Sequence, residues 1–192
     1  MSAAPSLTPV LAPDIALVGL GANLGDGAAT LATALGELRE LANCQLLQHS
    51  SLYRSAPLDA QGPDYWNAVA VLRCALTPEQ LLQQLHDLEH RHGRLRPAGQ
   101  HNAPRTLDLD LLLFGRQTLR DAALTLPHPR MHQRAFVLVP LAEIWPDGVL
   151  PDGVLPDGET VQHAALRLQA AGQTLVRTGP LAPMPAIRPQ PD

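Results

Sequence analysis

Between residues 15 and 114 the apolar positions change period several times, from the runs and alternations of strands to the three- and four-residue spacing of helices. Ile15 to Leu20 is an apolar run of strand length, and Gly21-Ala-Asn23-Leu-Gly25-Asp26 after it reads as a tight connection. Leu31, Leu35, Leu38 and Leu41 recur at helical spacing and predict a helix from about Gly27 to Leu41. Gln45 to Ser55 reads as a second strand and Tyr65 to Leu76 as a third. Thr77-Pro78-Glu79 is a strong helix start, with Thr77 as N-cap and Pro78 in the first turn. That helix turns Leu81, Leu82, Leu85 and Leu88 inward and ends near Gly93. The Asp-Leu-Asp strand, Arg105 to Asp110 running into Leu111-Leu-Leu-Phe114, follows after a loop, and a further helix is predicted over His132 to Ala142 with Pro140 near its end. The order β-α-β-β-α-β predicts an α+β fold: a ferredoxin-like sandwich with a mainly antiparallel sheet.

The ends carry less pattern. Residues 1–13, rich in proline and alanine, read as a flexible N-terminal arm, and the folded domain is expected over residues 14–172. Gln162 to Ala171 reads as a short helix, and residues 173–192 as a Pro-rich, disordered tail, with five prolines from Pro180 on. Pro146-Asp-Gly-Val-Leu recurs at Pro151 and begins again at Pro156; two and a half copies of a turn-forming pentapeptide make a surface loop, not a repeat architecture.

Composition narrows the classes. At 192 residues and 45% hydrophobic the chain can bury one good core. Its net charge of −4 argues against bulk nucleic-acid or membrane-surface binding, which favours a basic excess. No apolar run reaches the length of a membrane span, and the N-terminus lacks a basic leader, so a cytoplasmic protein is expected. Cys44 and Cys74 are too few for a disulfide scaffold and read as buried thiols. All fourteen basic residues are arginine; without lysine there is neither a Walker-type phosphate loop nor Schiff-base chemistry.

The chemistry concentrates in Arg105-Thr-Leu-Asp108-Leu-Asp110. Side chains alternate along a strand, so Asp108 and Asp110 share a face, while Leu107, Leu109, Leu111 and Leu113 are expected on the other. Two carboxylates roughly 6.5 Å apart repel by about 2.5 kcal/mol at an effective dielectric near 20. A hard divalent cation between them reverses that cost, which points to magnesium. From Arg91 to Arg134 the chain holds eight arginines against three acids, although the whole chain is acidic. Arginine forks beside a metal-binding acid pair suit a polyanion, nucleotide phosphate first.

Two other motifs are weaker. Gly19-Leu-Gly21-Ala-Asn-Leu-Gly25 follows a strand and opens a helix, but its third glycine falls one position late for a dinucleotide fingerprint. His86, His90 and His92 have a zinc-like spacing without the glutamate of a His-Glu-x-x-His motif, so a solvated helix face is the expectation.

Several stretches together resemble the 6-hydroxymethyl-7,8-dihydropterin pyrophosphokinase family of folate biosynthesis. They are Gly21-Ala-Asn-Leu-Gly25, Ser51-Leu-Tyr-Arg-Ser55, Pro63-Asp-Tyr65-Trp-Asn67, Glu89 with Gly93-Arg94-Leu-Arg96, Pro104-Arg-Thr-Leu-Asp-Leu-Asp110, Leu126-Pro-His128 and Arg134-Ala-Phe136 with Pro140-Leu141. The resemblance implies transfer of the β,γ-pyrophosphate of ATP to the pterin's hydroxymethyl oxygen, releasing AMP. It gives Asp108 and Asp110 two magnesium ions to hold, and makes Arg94 and Arg105, with the two acids, the catalytic set. It assigns ATP contacts to Glu89, Arg96, Leu111, Thr125, His128 and Arg134, and leaves out Arg116 and Arg120. It places the pterin ring between Tyr65 and Phe136, two of only six aromatics, with Asn67 reading the pterin's amide edge and Ser55 and Leu58 adding main-chain contacts. The partners it implies are ATP and the hydroxymethyldihydropterin, with no nucleic acid and no membrane, acting on a monomer.

Three positions depart from the family pattern. His86 stands where the family often has glutamine, and the loop Pro97–Ala103 lacks a tryptophan often found there, which leaves His101 or Asn102 to replace it as the loop closes. Pro129 stands where an aromatic follows the Pro-His pair. Two other classes use the same fold: an RNA-binding module, for which the stacking aromatics on adjacent strands are missing, and a regulatory small-molecule domain without turnover.

Overall fold

The computed structural model describes residues 11–57, 62–93, 106–151 and 153–182. In chain order the elements are β1 (Ile15–Ala22), α1 (Gly27–Arg39), β2 (Cys44–His49), β3 (Leu52–Ser55), β4 (Tyr65–Cys74), α2 (Pro78–Arg91), β5 (Asp108–Phe114), β6 (Leu119–Arg120), β7 (Thr125–Leu126), a 3₁₀ turn (Met131–Gln133), α3 (Ala135–Ile144), α4 (Val161–Ala170) and β8 (Leu175–Gly179). The main sheet runs β5-β1-β4-β3-β8, with β2 also on β4, and all its pairings are antiparallel. This is the expected ferredoxin-like α+β sandwich.

Both faces of the sheet are covered. Ala16, Val18 and Leu20 of β1 pack with Leu31, Leu35 and Leu38 of α1 and Leu81, Leu85 and Leu88 of α2. Ile15 and Leu17 point the other way, toward Val137, Leu138 and Leu141 of α3 and Val161 and Ala164 of α4. Each fully buried leucine contributes about 1.5–3 kcal/mol relative to exposure, so these two cores carry the stability. Helix α2 starts as expected: Gln80 N–H donates to Thr77 Oγ1, and the Gln80 side chain accepts from Thr77 N–H at 2.9 Å, a complete capping box.

The structure corrects several expectations. The strand expected over Gln45 to Ser55 is two strands, broken where Val69 N–H donates to the Ser50 hydroxyl and Ser51 turns its own N–H and hydroxyl to Glu143. A serine side chain there stands in for a ladder carbonyl, which no hydropathy pattern reports. Leu113 does not share a face with Leu107, Leu109 and Leu111: a register shift against Leu17 and Val18 puts both Leu112 and Leu113 in the α3 and α4 core. Leu82 is only half-buried. The helix expected from His132 begins at Ala135 after the 3₁₀ turn and runs through Pro140 to Ile144.

Order extends beyond the expected limits at both ends. Leu11 is buried in the second core, and the backbone of Pro13 lies so close to Gly115, at φ +52°, that a β-carbon there would meet it at 2.7 Å. Leu175–Gly179, placed by the sequence reading in the tail, instead forms β8 and pairs with β3. An edge strand needs only one partner and half a face of burial, so its pattern is weak. Cys44 and Cys74 are not separate thiols: they are cross-strand partners of β2 and β4 and form a disulfide. The first copy of the pentapeptide closes on the start of α4, where Val161 N–H donates to Gly148 and Gln162 N–H to Pro146. No helix among the described residues is long and apolar enough to cross a membrane.

Candidate active site

Strand register builds the site in two rows. Gly21 of β1 lies between Asn67 of β4 and Asp108 of β5, and Gly19 between Val69 and Asp110. Gly21 leaves its place on the sheet bare, with the Asp108 acid on one side and the Asn67 amide on the other, while the Leu112 side chain lies against Gly19. A cavity of about 440 Å³ opens over this trough, lined by Gly19, Gly21, Ser55, Tyr65, Asn67, Asp108, Asp110, Arg134 and Phe136, among others. A methyl at Gly21 would stand 3.8 Å from Asp108 Cβ and 4.0 Å from Asn67 Oδ1, inside this space.

Asn67 is 4% exposed, and its orientation is set by the protein. Nδ2 donates to Ser55 Oγ at 3.0 Å and to the Tyr65 carbonyl at 3.3 Å, which uses both amide hydrogens and leaves Oδ1 as the atom turned toward Gly21. Tyr65 and Phe136 both line the cavity, from the start of β4 and the start of α3.

The acidic end is balanced by cations. Arg134 Nη1 lies 3.5 Å from Asp110 Oδ2, and its guanidinium sits over the Phe136 ring at 5.3 Å. His128 Nε2 is 4.0 Å from the same carboxylate oxygen. Arg130 N–H donates to His128 Nδ1 at 3.3 Å, so the ring proton of the neutral imidazole sits on Nε2, facing the site. Burial first, then Arg134 and Arg130, push the His128 pKa below the ordinary value of 6.5 against the opposing pull of Asp110. His128 is anchored to the acid strand by its own N–H, which donates to the Leu112 carbonyl at 2.8 Å.

The structure gathers Ser55, Tyr65, Asn67, Asp108, Asp110, Arg134 and Phe136 around one cavity, with His128 beside it. Besides His128, three expected ATP residues do not line it. Glu89, 2% exposed, accepts the Leu109 N–H at 2.8 Å from beneath the sheet and so braces the strand between the two acids. Leu111 points into the α1 and α2 core, and Thr125 lies in the small β6-β7 ladder. Leu58, Arg94, Arg96, Arg105 and the loop 97–103 lie outside the described residues. Gly19, Gly21, Arg130, Gln133, Val137 and Gln173 also line the cavity without having been singled out for this role. Glycines two apart inside an apolar strand were the available signal for the first two. Of the histidine row, His92 pairs with Glu37 of α1 at 2.6 Å, and no group of three or more potential ligands gathers among the described residues.

An antiparallel sheet covered by helices, with two acids, an arginine and two aromatics lining one cavity, defines a ferredoxin-like domain whose candidate site lies on its sheet. The chain belongs to the 7,8-dihydro-6-hydroxymethylpterin-pyrophosphokinase family, whose pattern matches residues 17–146. A 2-amino-4-hydroxy-6-hydroxymethyldihydropteridine pyrophosphokinase from Synechocystis sp. is 47% identical over 134 residues, covering 70% of this chain and 68% of the relative. The protein of the same name from Haemophilus influenzae is 44% identical, covering 70% and 84%. Among solved structures, an HPPK-DHPS in complex with substrates superposes with a TM-score of 0.64 at 12% identity, over 83% of this chain and 44% of that one. Wild-type HPPK-DHPS from Plasmodium falciparum gives 0.60 at 14% identity, over 80% and 40%. This chain therefore spans less than half of those solved chains, and at such identity they speak for the fold alone.

Proposed function

We propose that the cavity seats the pterin ring and the ATP triphosphate side by side, and that Asp108 and Asp110 hold two magnesium ions at the boundary, for the reaction its family carries out. That reaction is transfer of pyrophosphate to 6-hydroxymethyl-7,8-dihydropterin in folate synthesis. The observation that carries the reading is the row Asn67, Gly21, Asp108, which sets an amide acceptor and a carboxylate on either side of a bare strand. A flat heterocycle lying on that strand has its donor edge at Asn67 and its substituent at the acids.

The donor set fits magnesium: two hard carboxylates share one sheet face and line the cavity, and substrate phosphate and water complete the shell of an ion that keeps several waters. Bound there, magnesium neutralises phosphate charge. The remaining work falls to the chain. The pterin hydroxyl oxygen attacks the β-phosphorus, its proton passes to solvent, and the bond from that phosphorus to the oxygen of the departing AMP breaks, the electron pair leaving with AMP. Arg134 and the Nε2–H of neutral His128 stand where they can donate to phosphate oxygens, and Tyr65 and Phe136 hold the ring. Such a transfer runs on positioning and electrostatics with little need of a general base. By their places in the matching motifs, Arg94, Arg96 and Arg105 bind phosphate, and Leu58 contacts the pterin.

The working unit in this reading is a cytoplasmic monomer without nucleic-acid or membrane partners. The Cys44–Cys74 disulfide sits at the far end of β4 from Asn67, so the reading does not depend on its redox state. Incubation with ATP, magnesium and the hydroxymethyldihydropterin should yield AMP and the pterin diphosphate in equal amounts. Nucleotide binding without AMP formation would refute turnover.

A further inference from the structure

We propose that Gln173, in the turn after α4, is a positioning residue for this site: its side-chain amide sets the first turn of α3, and through it the places of Arg134 and Phe136. The inference rests on the reading of the cavity given above. A helix leaves its first N–H groups without partners inside the helix, and the N-cap side chain commonly takes one of them. At α3 the N-cap is Arg134, whose side chain makes no capping bond and instead reaches toward Asp110 and over Phe136. The cap is supplied from elsewhere in the chain. Gln173 Oε1 accepts the Ala135 N–H at 2.9 Å, and Gln173 Nε2 donates to the Gln133 carbonyl at 3.0 Å.

These two bonds straddle Arg134, one to the residue before it and one to the residue after it, and Phe136 follows directly. The hand that makes them is itself held. Gln173 N–H donates to the carbonyl of Leu168, a residue buried in the second core, and Gly172 N–H to that of Gln169. Gln173 also lines the cavity, yet both ends of its amide are engaged on main chain, so its part is to hold α3 in place. Serving as cap from 38 positions away lets Arg134 keep its guanidinium for the acid end of the site.

The test uses the whole chain and two variants: Q173M, which keeps the length and loses the amide, and Q173E, which keeps an acceptor for Ala135 N–H. Dihydropterin affinity is titrated in the presence of magnesium and a non-hydrolysable ATP analogue, alongside kcat, KM and thermal unfolding. Q173M should weaken dihydropterin binding about tenfold, seen mainly in KM, and Q173E, which keeps the acceptor for Ala135 N–H but loses the donor to the Gln133 carbonyl, should weaken it by less, about threefold. Q173M that unfolds earlier but binds dihydropterin like wild type would reduce Gln173 to a brace of the fold and overturn the proposal. If Q173M does not fold, Q173E decides: dihydropterin binding equal to wild type overturns the proposal, and a loss of about threefold at unchanged unfolding temperature supports it. A wild-type protein that binds neither substrate would overturn the cavity reading and this inference together, whereas wild-type binding with an indifferent Q173M overturns this inference alone.

Discussion

Gly21 separates the fold's requirements from the site's, and Gly21→Ala exploits the separation. Its φ lies outside the left-handed region, and an added β-carbon would meet only Asp108 Cβ at 3.8 Å and Asn67 Oδ1 at 4.0 Å, ordinary van der Waals distances. Alanine should therefore fit the folded chain without strain. By restricting the unfolded chain it should stabilise by about 0.4–1 kcal/mol, a rise of about 1–4 °C in Tm for a domain of this size. The same methyl rises into the trough where the proposed ring lies. Overfilling a packed site costs about 1–3 kcal/mol, which is about 5- to 150-fold in dihydropterin Kd. Calorimetric titration of the dihydropterin with magnesium and an ATP analogue present, paired with thermal melts, reads both effects. ATP-analogue affinity should change less than dihydropterin affinity, because the ring, and not the triphosphate, is proposed to lie over Gly21. Dihydropterin affinity equal to wild type would refute the placement of the ring on β1, and a lowered Tm would refute the packing argument.

Three further outcomes follow from the geometry. Phe136→Leu keeps an apolar side chain but loses the ring face, so dihydropterin affinity should fall about threefold to tenfold in the same titration, since an aromatic pair is worth about 0.5–1.5 kcal/mol beyond its buried area. Thr77→Ala removes the cap of α2 far from the cavity; it should cost about 1 kcal/mol in denaturant unfolding and leave kcat and KM unchanged. Glu143 predicts a pH dependence. Burial alone pushes its carboxyl up, but hydrogen bonds from the Ser51 hydroxyl and N–H, Tyr53 and Arg177 outweigh this and hold it below the ordinary 4.5. Burial and the Glu143 carboxylate push the Tyr53 phenol up to about 12, so it remains a donor. A depressed folded-state pKa gives stability that is present above the unfolded value and lost as pH falls through the folded one. Glu143→Gln should therefore lower stability by about 1–3 kcal/mol at pH 7, little of it from the largely exposed Arg177. In urea unfolding at several pH values its gap from wild type should narrow below pH 4.5, and a gap that persists at lower pH would contradict the assignment.

What was legible in the chain was local. The face shared by Asp108 and Asp110, the pairing of Tyr65 with Asn67 two residues on, and the Thr77 cap all follow from period and residue type within a few positions. The floor of the site was not legible in this way. Gly19 and Gly21 looked like a failed dinucleotide fingerprint, because their meaning lies in which residues stand beside them on β4 and β5, 46 to 91 positions later. Gln173 is the same case, since its partners are the main chain of Gln133 and Ala135. Glu89 shows the converse: its place beside the arginine motif marked it for ATP, whereas its carboxylate reaches the strand that carries the acids from the opposite side. The break at Ser50, the bulge at Leu112 and the pairing of Cys44 with Cys74 are likewise matters of register, which hydropathy leaves open.

Whether the acids of β5 work as a metal-holding pair is decided by the double variant D108N/D110N. Removing both charges relieves a mutual repulsion of about 2.5 kcal/mol at an effective dielectric near 20 but also takes the Asp110 carboxylate from Arg134, so thermal melts accompany the assay to show that the variant is folded. AMP release is followed across a magnesium titration with ATP and the hydroxymethyldihydropterin saturating. Wild type should release AMP in a magnesium-dependent way and the folded variant none above background; AMP release by the variant with the wild-type magnesium dependence would rule the acids out as the metal holders.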